Sequence, residues 1–263
     1  MCEEACCPNM TRCWSSGAVT FMILGDLCTR NCAFCGVKTS ARGRRVEEDE
    51  GERILEASRD LGLDHVVLTS VNRDDLEDGG ADHFASCIGT LKTGLPGTIV
   101  EALVPDLDDR YLRTILKTGP EVLGHNIEVV RKLQERIRDR RAGYEKSLGV
   151  LETSKRVNPE TLTKSSLMLG LGECRDDVLG AMEDLRGAGV DILTVGQYIQ
   201  PMKGRAEVER YVPPEEFDFY RSRGEEMGFP AVVSGPFVRS SYGAAGAYRA
   251  ARSAIHTRAW SGE

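Results

Sequence analysis

The 263-residue sequence predicts an α/β fold, and three observations predict it. After residue 16, short apolar runs alternate with helical patterns, the mark of βα units around a parallel sheet. Six such repeats follow one another, too few for a closed eight-fold ring. The polar clusters gather at the C-terminal ends of the apolar runs, where a barrel places its chemistry. Together these describe an incomplete (β/α)6 barrel of the TIM type, with N- and C-terminal segments over its mouth. An open doubly wound sheet shares the periodicity and stays open at this level.

The strand candidates are Ala18–Leu24, His65–Ser70, Thr98–Pro105, Val122–Glu128, Ser166–Gly172 and Ile192–Ile199, each a short apolar run. The first helix, Glu50–Leu61, carries Ile54, Leu55, Ala57, Ser58 and Leu61 on one face. Arg110–Lys117, Asn126–Arg140, Arg175–Ala188 and Pro214–Met227 show the same helical spacing. A seventh apolar run, Ala231–Ser234, leads into the closing segment. The chain thus divides into a cysteine-bearing segment 1–16, a barrel 17–230 and a C-terminal segment 231–263. Arg42–Arg45 reads as a solvated basic loop.

Composition narrows the class of function. Hydrophobic residues make up 41%, enough to fill a core, and no apolar run approaches a membrane span. A net charge of −7 argues against a nucleic-acid partner. The first residues, Met-Cys-Glu-Glu-Ala-Cys-Cys-Pro, lack the basic and apolar regions of a signal peptide, so a cytoplasmic protein is expected.

Seven of the nine cysteines lie in the first 35 residues, in two triplets. Cys28, Cys32 and Cys35 form C-x3-C-x2-C, while Cys2, Cys7 and Cys13 form C-x4-C-x5-C with Cys6 as an extra thiol. Disulfides suit small secreted domains rather than this chain. Zinc prefers four ligands in paired C-x2-C knuckles, and only Cys32 and Cys35 have that spacing. Each triplet instead offers three thiolates to a cubic iron–sulfur centre and leaves one iron open. An open iron binds a substrate or cofactor; a fully capped one only passes electrons. Around this centre the strand ends carry Thr69–Asp75, His125–Glu128, Gly170–Glu173 and Gln197-Tyr198.

The spacing C-x3-C-x2-C after the first strand, with Phe34 before the last cysteine, resembles the signature of radical S-adenosylmethionine (SAM) enzymes. Further motifs resemble the lipoyl synthases within that group. They are Cys2–Asn9 with Cys13-Trp14, Thr20–Asp26 before Cys28-Thr29-Arg30, and Thr69–Leu76 with Asp78-Gly79-Gly80. His125–Glu128, Lys164–Glu173, Gln197–Pro201 and Gly235–Tyr242 continue the match in order over nearly the whole chain.

The resemblance implies two 4Fe–4S clusters and S-adenosylmethionine, two molecules of it per lipoyl group. Cys28, Cys32 and Cys35 would hold the radical-generating cluster. Cys2, Cys7 and Cys13 would hold an auxiliary cluster closed by Ser241, with Ser240 as the alternative. It implies sulfur insertion at C6 and C8 of a protein-bound octanoyl-lysine, the auxiliary cluster being the sulfur donor. The implied partners are an octanoylated lipoyl carrier domain or glycine-cleavage H protein, a low-potential electron donor and a cluster-reassembly carrier. A serine oxygen is a harder ligand than thiolate and suits a cluster that is taken apart. Asn72, Arg73, Asp74, Asn126 and Glu128 are candidates to meet the cofactor, and Gly79 and Gly80 to let backbone approach its methionine moiety. Lys164, Gln197 and Tyr198 are candidates for the mouth, and Arg239 for holding the serine loop. The alternatives are another radical SAM enzyme with an auxiliary cluster, or an iron–sulfur electron carrier or zinc protein.

The sequence departs from that pattern in places. It begins one residue before Cys2, where an N-terminal extension is expected. Arg12 stands where an acidic residue is common, and Met202–Arg205 and Gly243 lack the usual histidines. These differences bear on carrier docking more than on the core reaction.

Overall fold

The computed structural model describes Asn9, Cys13 and residues 18–261, with side chains from Val19 to Arg258. Cys2, Cys6 and Cys7 lie outside the described residues. Seven parallel strands form one sheet in the order β1 (Ala18–Ile23), β4 (His65–Ser70), β5 (Ile99–Leu103), β6 (Val122–Gly124), β7 (Leu162–Leu169), β8 (Ile192–Gln197) and β9 (Ala231–Gly235). Sequential neighbours pair along it, as right-handed βα crossovers require. The seventh apolar run is therefore a strand: Ala231–Gly235 pairs with Ile192–Gly196, and the sheet runs on past residue 230. Two further strands, β2 (Leu27–Cys28) and β3 (Lys38–Thr39), form a parallel pair that brackets the second cysteine triplet.

The helices are α1 (Glu50–Asp60), α2 (Ala81–Gly94), α3 (Asp109–Leu116), α4 (Gln134–Ile137), α5 (Tyr144–Val157), α6 (Arg175–Gly187), α7 (Pro214–Glu226) and α8 (Ala244–Ser261). Strand alternation sends one set of side chains outward. Val66 and Leu68 meet Phe84, Ile88 and Leu91 of α2, and Leu193 and Val195 meet Val178, Met182 and Leu185 of α6. Burying such a leucine or valine is worth about 1.5–3 kcal/mol, which locks the helices onto the sheet. The first residues of four strands, Val122, Leu162, Ile192 and Ala231, pack on Ala247 and Ala251 of α8. That helix stops the floor of the barrel, opposite the cysteines.

Two elements differ from their sequence expectation. The stretch Asn126–Arg140 is not one helix. Glu128 still bridges Leu167 but adopts φ +67, the chain then leaves the sheet, and only a 3-10 turn at Arg131–Leu133 and the single turn α4 follow. The helix of that repeat is α5. Strand β7 begins at Leu162, four residues before the apolar run at Ser166, because a buried partner neutralises its one charge. Lys164 Nζ lies 2.7 Å from Glu101 Oε1, and both side chains are buried.

Candidate active site

The cysteine loop is fixed at its root. Leu24 takes φ +66 as β1 ends; its N–H donates to Glu50 Oε2 at 3.0 Å and its carbonyl accepts from Arg73 Nη1 at 3.1 Å. From there Cys28, Cys32, Cys35 and Phe34 all line one cavity of about 360 Å³ at the C-terminal ends of the strands. Peptide N–H groups already point at the sulfurs: Arg30 N is 3.4 Å from Cys28 Sγ and Asp139 N is 3.2 Å from Cys32 Sγ. Burial pushes the Cys32 thiol up to about 11 and the Cys35 thiol up as well. Such sulfurs are poor nucleophiles by themselves and lose their protons to a bound metal. Cys28, Cys32, Cys35, Cys87 and Cys174 form no disulfide. Three thiols with N–H donors on one cavity fit a cluster held by three cysteines and having an open corner.

Apolar side chains from several strands, among them Met22, Leu103 and Met168, wall the cavity. Asn72, Asn126, Glu128, Gln197 and Tyr198, placed at strand ends by the sequence, line it too, and so do Arg239, Ser240 and Ser241. Asn126 Nδ2 donates to Glu128 Oε1 at 3.1 Å, and burial pushes the Glu128 carboxyl up against the pull of Arg138. Gln197 and Tyr198 also brace the following loop. Gln197 donates to the Arg210 carbonyl and accepts from Val212 N, and the Tyr198 hydroxyl donates to the Ala206 carbonyl at 2.8 Å.

Five expected residues stand back from the cavity wall. Arg73 is buried against Asp75 and the Leu24 carbonyl, and Asp74 binds Thr29 and Arg30. Both shape the cysteine loop from behind. Gly79 and Gly80 have φ +61 and +91, and a Cβ on Gly80 would stand 2.3 Å from Leu24 Cδ1. They serve the turn into α2. Lys164 faces the lumen two residues below Ser166, which does line the cavity, so it belongs to the floor rather than the mouth.

Two members of a charged group on the wall, Asp106 and Arg138, escaped sequence reasoning. Arg30 bridges Asp74 and Asp106, while His125 Nε2 lies 3.3 Å from Asp106 Oδ1 and Arg138 Nη2 3.7 Å from the same oxygen. Burial pushes the Asp106 carboxyl up, but His125 and Arg30 outweigh it and hold the acid well below the usual carboxylate range. Asp106 directly follows the third strand candidate, so the strand-end rule was the signal that pointed to it. Arg138 fell inside the expected helix, where nothing marks it.

Of the first triplet, only Cys13 lies among the described residues, and it is tied in through Asn9. Its side-chain amide donates to the Phe237 carbonyl, and Cys13 N donates to the Asn9 carbonyl at 2.8 Å. Asn9, and Cys13 bonded to it, therefore sit beside Phe237, three residues before Ser240.

Residues 22–195 match the family model described as the radical SAM superfamily. The fold agrees with solved structures at low sequence identity. Methylornithine synthase (PylB) superposes with a TM-score of 0.59 at 14% identity, over 85% of this chain and 77% of that one. SuiB of Streptococcus suis bound to its precursor peptide SuiA gives 0.63 at 11%, over 86% and 52%. A seven-strand partial barrel with three cysteines at its mouth thus defines a radical SAM enzyme, which works with a 4Fe–4S cluster and S-adenosylmethionine. Among curated proteins, lipoyl synthase of Thermus thermophilus is 53% identical over 92% of this chain and 76% of its own length. Those of Halorhodospira halophila and Pyrobaculum calidifontis are 52% and 51% identical, over 92% and 94% of this chain and 73% and 86% of theirs. The chain belongs to the lipoyl synthase family.

Proposed function

We propose that this chain inserts two sulfur atoms, at C6 and C8, into an octanoyl group carried on a lysine of a lipoyl carrier domain or glycine-cleavage H protein. One observation carries the reading. Ser240 and Ser241, two hundred residues beyond the cysteine loop, line the same cavity as Cys28, Cys32 and Cys35. Cys2, Cys7, Cys13 and Ser241 would hold an auxiliary 4Fe–4S cluster there, and Cys28, Cys32 and Cys35 the radical-generating one. The bound clusters and S-adenosylmethionine supply the hydrogen-abstracting radicals, one per C–H bond, and the sulfur.

The chain's own task is placement. Unactivated C–H bonds offer electrostatics little to act on, so rate comes from orientation and exclusion of water. Met22, Leu103 and Met168 give an acyl chain an apolar wall, and the charged group around Asp106 confines polar contacts to one side. No general acid–base pair is required, and a low-potential donor and a cluster-reassembly carrier complete the cycle. The electron-carrier and zinc readings give way to the family match; another radical SAM reaction at the auxiliary site is the remaining rival. The chain is expected to act in the cytoplasm, without nucleic acid or membrane. Among the described residues no helix is long and apolar enough to cross a membrane.

The test is anaerobic turnover of reconstituted protein with an octanoyl-lysyl peptide and reductant. Lipoyl peptide and 5′-deoxyadenosine are expected with about eight irons bound. Ser241→Ala should keep cofactor cleavage and lose thiolated product, while Ser240→Ala should keep both. Cofactor cleavage without any thiolated peptide in the unaltered protein overturns the substrate.

A further inference from the structure

The short segment after α4 grips the cysteine loop. Ala33 N donates to the Ile137 carbonyl at 2.8 Å, and Asp139 N donates to Cys32 Sγ at 3.2 Å. The Asp139 carboxylate answers from its other end. One oxygen accepts from Asn31 N at 3.0 Å, and the other accepts from Arg141 N at 3.1 Å and Arg141 Nε at 2.8 Å. Arg141 Nη2 in turn reaches the Thr29 carbonyl at 2.6 Å. The helix ends as Arg138 N bonds to the Gln134 carbonyl and Arg138 turns extended, φ −97 and ψ 159. The next N–H, that of Asp139, is therefore released from the helix and aimed at sulfur.

We propose that Asp139 is a positioning residue for the radical-generating cluster: its carboxylate locks the 137–141 turn on the cysteine loop so that its own peptide N–H bonds Cys32 Sγ and raises the cluster's reduction potential. A hydrogen bond to a ligand sulfur withdraws electron density and favours the reduced form, which carries one more negative charge. The carboxylate itself is exposed by only 11% and paired with Arg141, so its charge is largely offset. The directed N–H is the part that acts on the sulfur. The bond strengthens as the sulfur gains negative charge, so losing it should move the redox equilibrium by about tenfold.

The inference rests on ligation by Cys28, Cys32 and Cys35, and the experiment separates the two. Reconstituted full-length protein is titrated with reductant while the EPR signal that changes on adding S-adenosylmethionine is followed. If the unaltered protein shows no such signal, the ligation reading fails. If it does, Asp139→Ala should lower the reduced-to-oxidised ratio at the unaltered midpoint about tenfold, with iron content kept, and Asp139→Asn should lie between. Arg141→Ala, which keeps the peptide and carboxylate, should shift it in the same direction by less. An unchanged midpoint in loaded Asp139→Ala overturns the proposal. So does loss of the cluster from both Asp139 variants, which would make the residue a structural clamp alone.

Discussion

Leu24 sits in the left-handed region, which costs a side chain of this kind about 1–3 kcal/mol unless its surroundings impose it. They do: Glu50 accepts from its N–H, Arg73 donates to its carbonyl, and His83 holds Glu50 in place at 2.7 Å. Gly196 acts at similarly close range on the other rim. A Cβ there would stand 2.1 Å from the Val238 carbonyl oxygen, a backbone atom that cannot step aside alone. Gly196→Ala should therefore push the Arg239–Ser241 stretch away from the cavity. The expected result is loss of about half the bound iron with cofactor cleavage retained, read by iron analysis and 5′-deoxyadenosine release.

At the scale of elements, the inward faces of the strands are layered. The upper layer, with Thr69, Leu103, Asn126, Ser166 and Met168, lines the cavity. The layer beneath holds Glu101 between Lys164 and His65, at 2.7 and 3.4 Å. Lys164→Met would leave Glu101 buried without its cation, a change that costs about 3–5 kcal/mol in comparable pairs. Denaturant midpoints should show that loss, and Glu101→Gln combined with Lys164→Met should recover much of it. A second link ties the loop after β8 to α7. Arg210 holds Glu216 at 2.8 Å and draws its carboxyl down to about 2, with Tyr220 assisting. An acid lowered in the folded state stabilises above its ordinary value near 4.5 and ceases to do so as pH falls towards 2. Glu216→Gln should flatten that acid decline of the melting temperature, by about 1 kcal/mol or less because Arg210 is 37% exposed.

On the scale of the molecule, the barrel was legible because β-strands buried on both faces read as apolar runs and their order needs no long-range guess. The cysteine loop was legible because its spacing is local. What stayed hidden depended on pairing across the fold. Lys164 reads as a residue of the mouth, outside its strand, because Glu101, which neutralises it, lies 63 positions away. Asp139 looked like part of a helix because the sulfur its N–H meets lies 107 positions earlier. The true helix α5 was missed for a related reason: Glu128 at φ +67 displaces the repeat by a turn that no periodicity records.

The bond from Asn9 to Phe237 spans 228 positions. Its consequence is one of timing. During synthesis the Cys28 loop emerges and can begin folding long before β9 exists, whereas the contact of Asn9 with Phe237 forms only after that last strand has been made. A contact of such separation is also entropically slow to close. Whatever is held between those two segments is therefore expected to be installed late, and removing it should leave the unfolding transition of the barrel in place, which a melting curve before and after chelation checks.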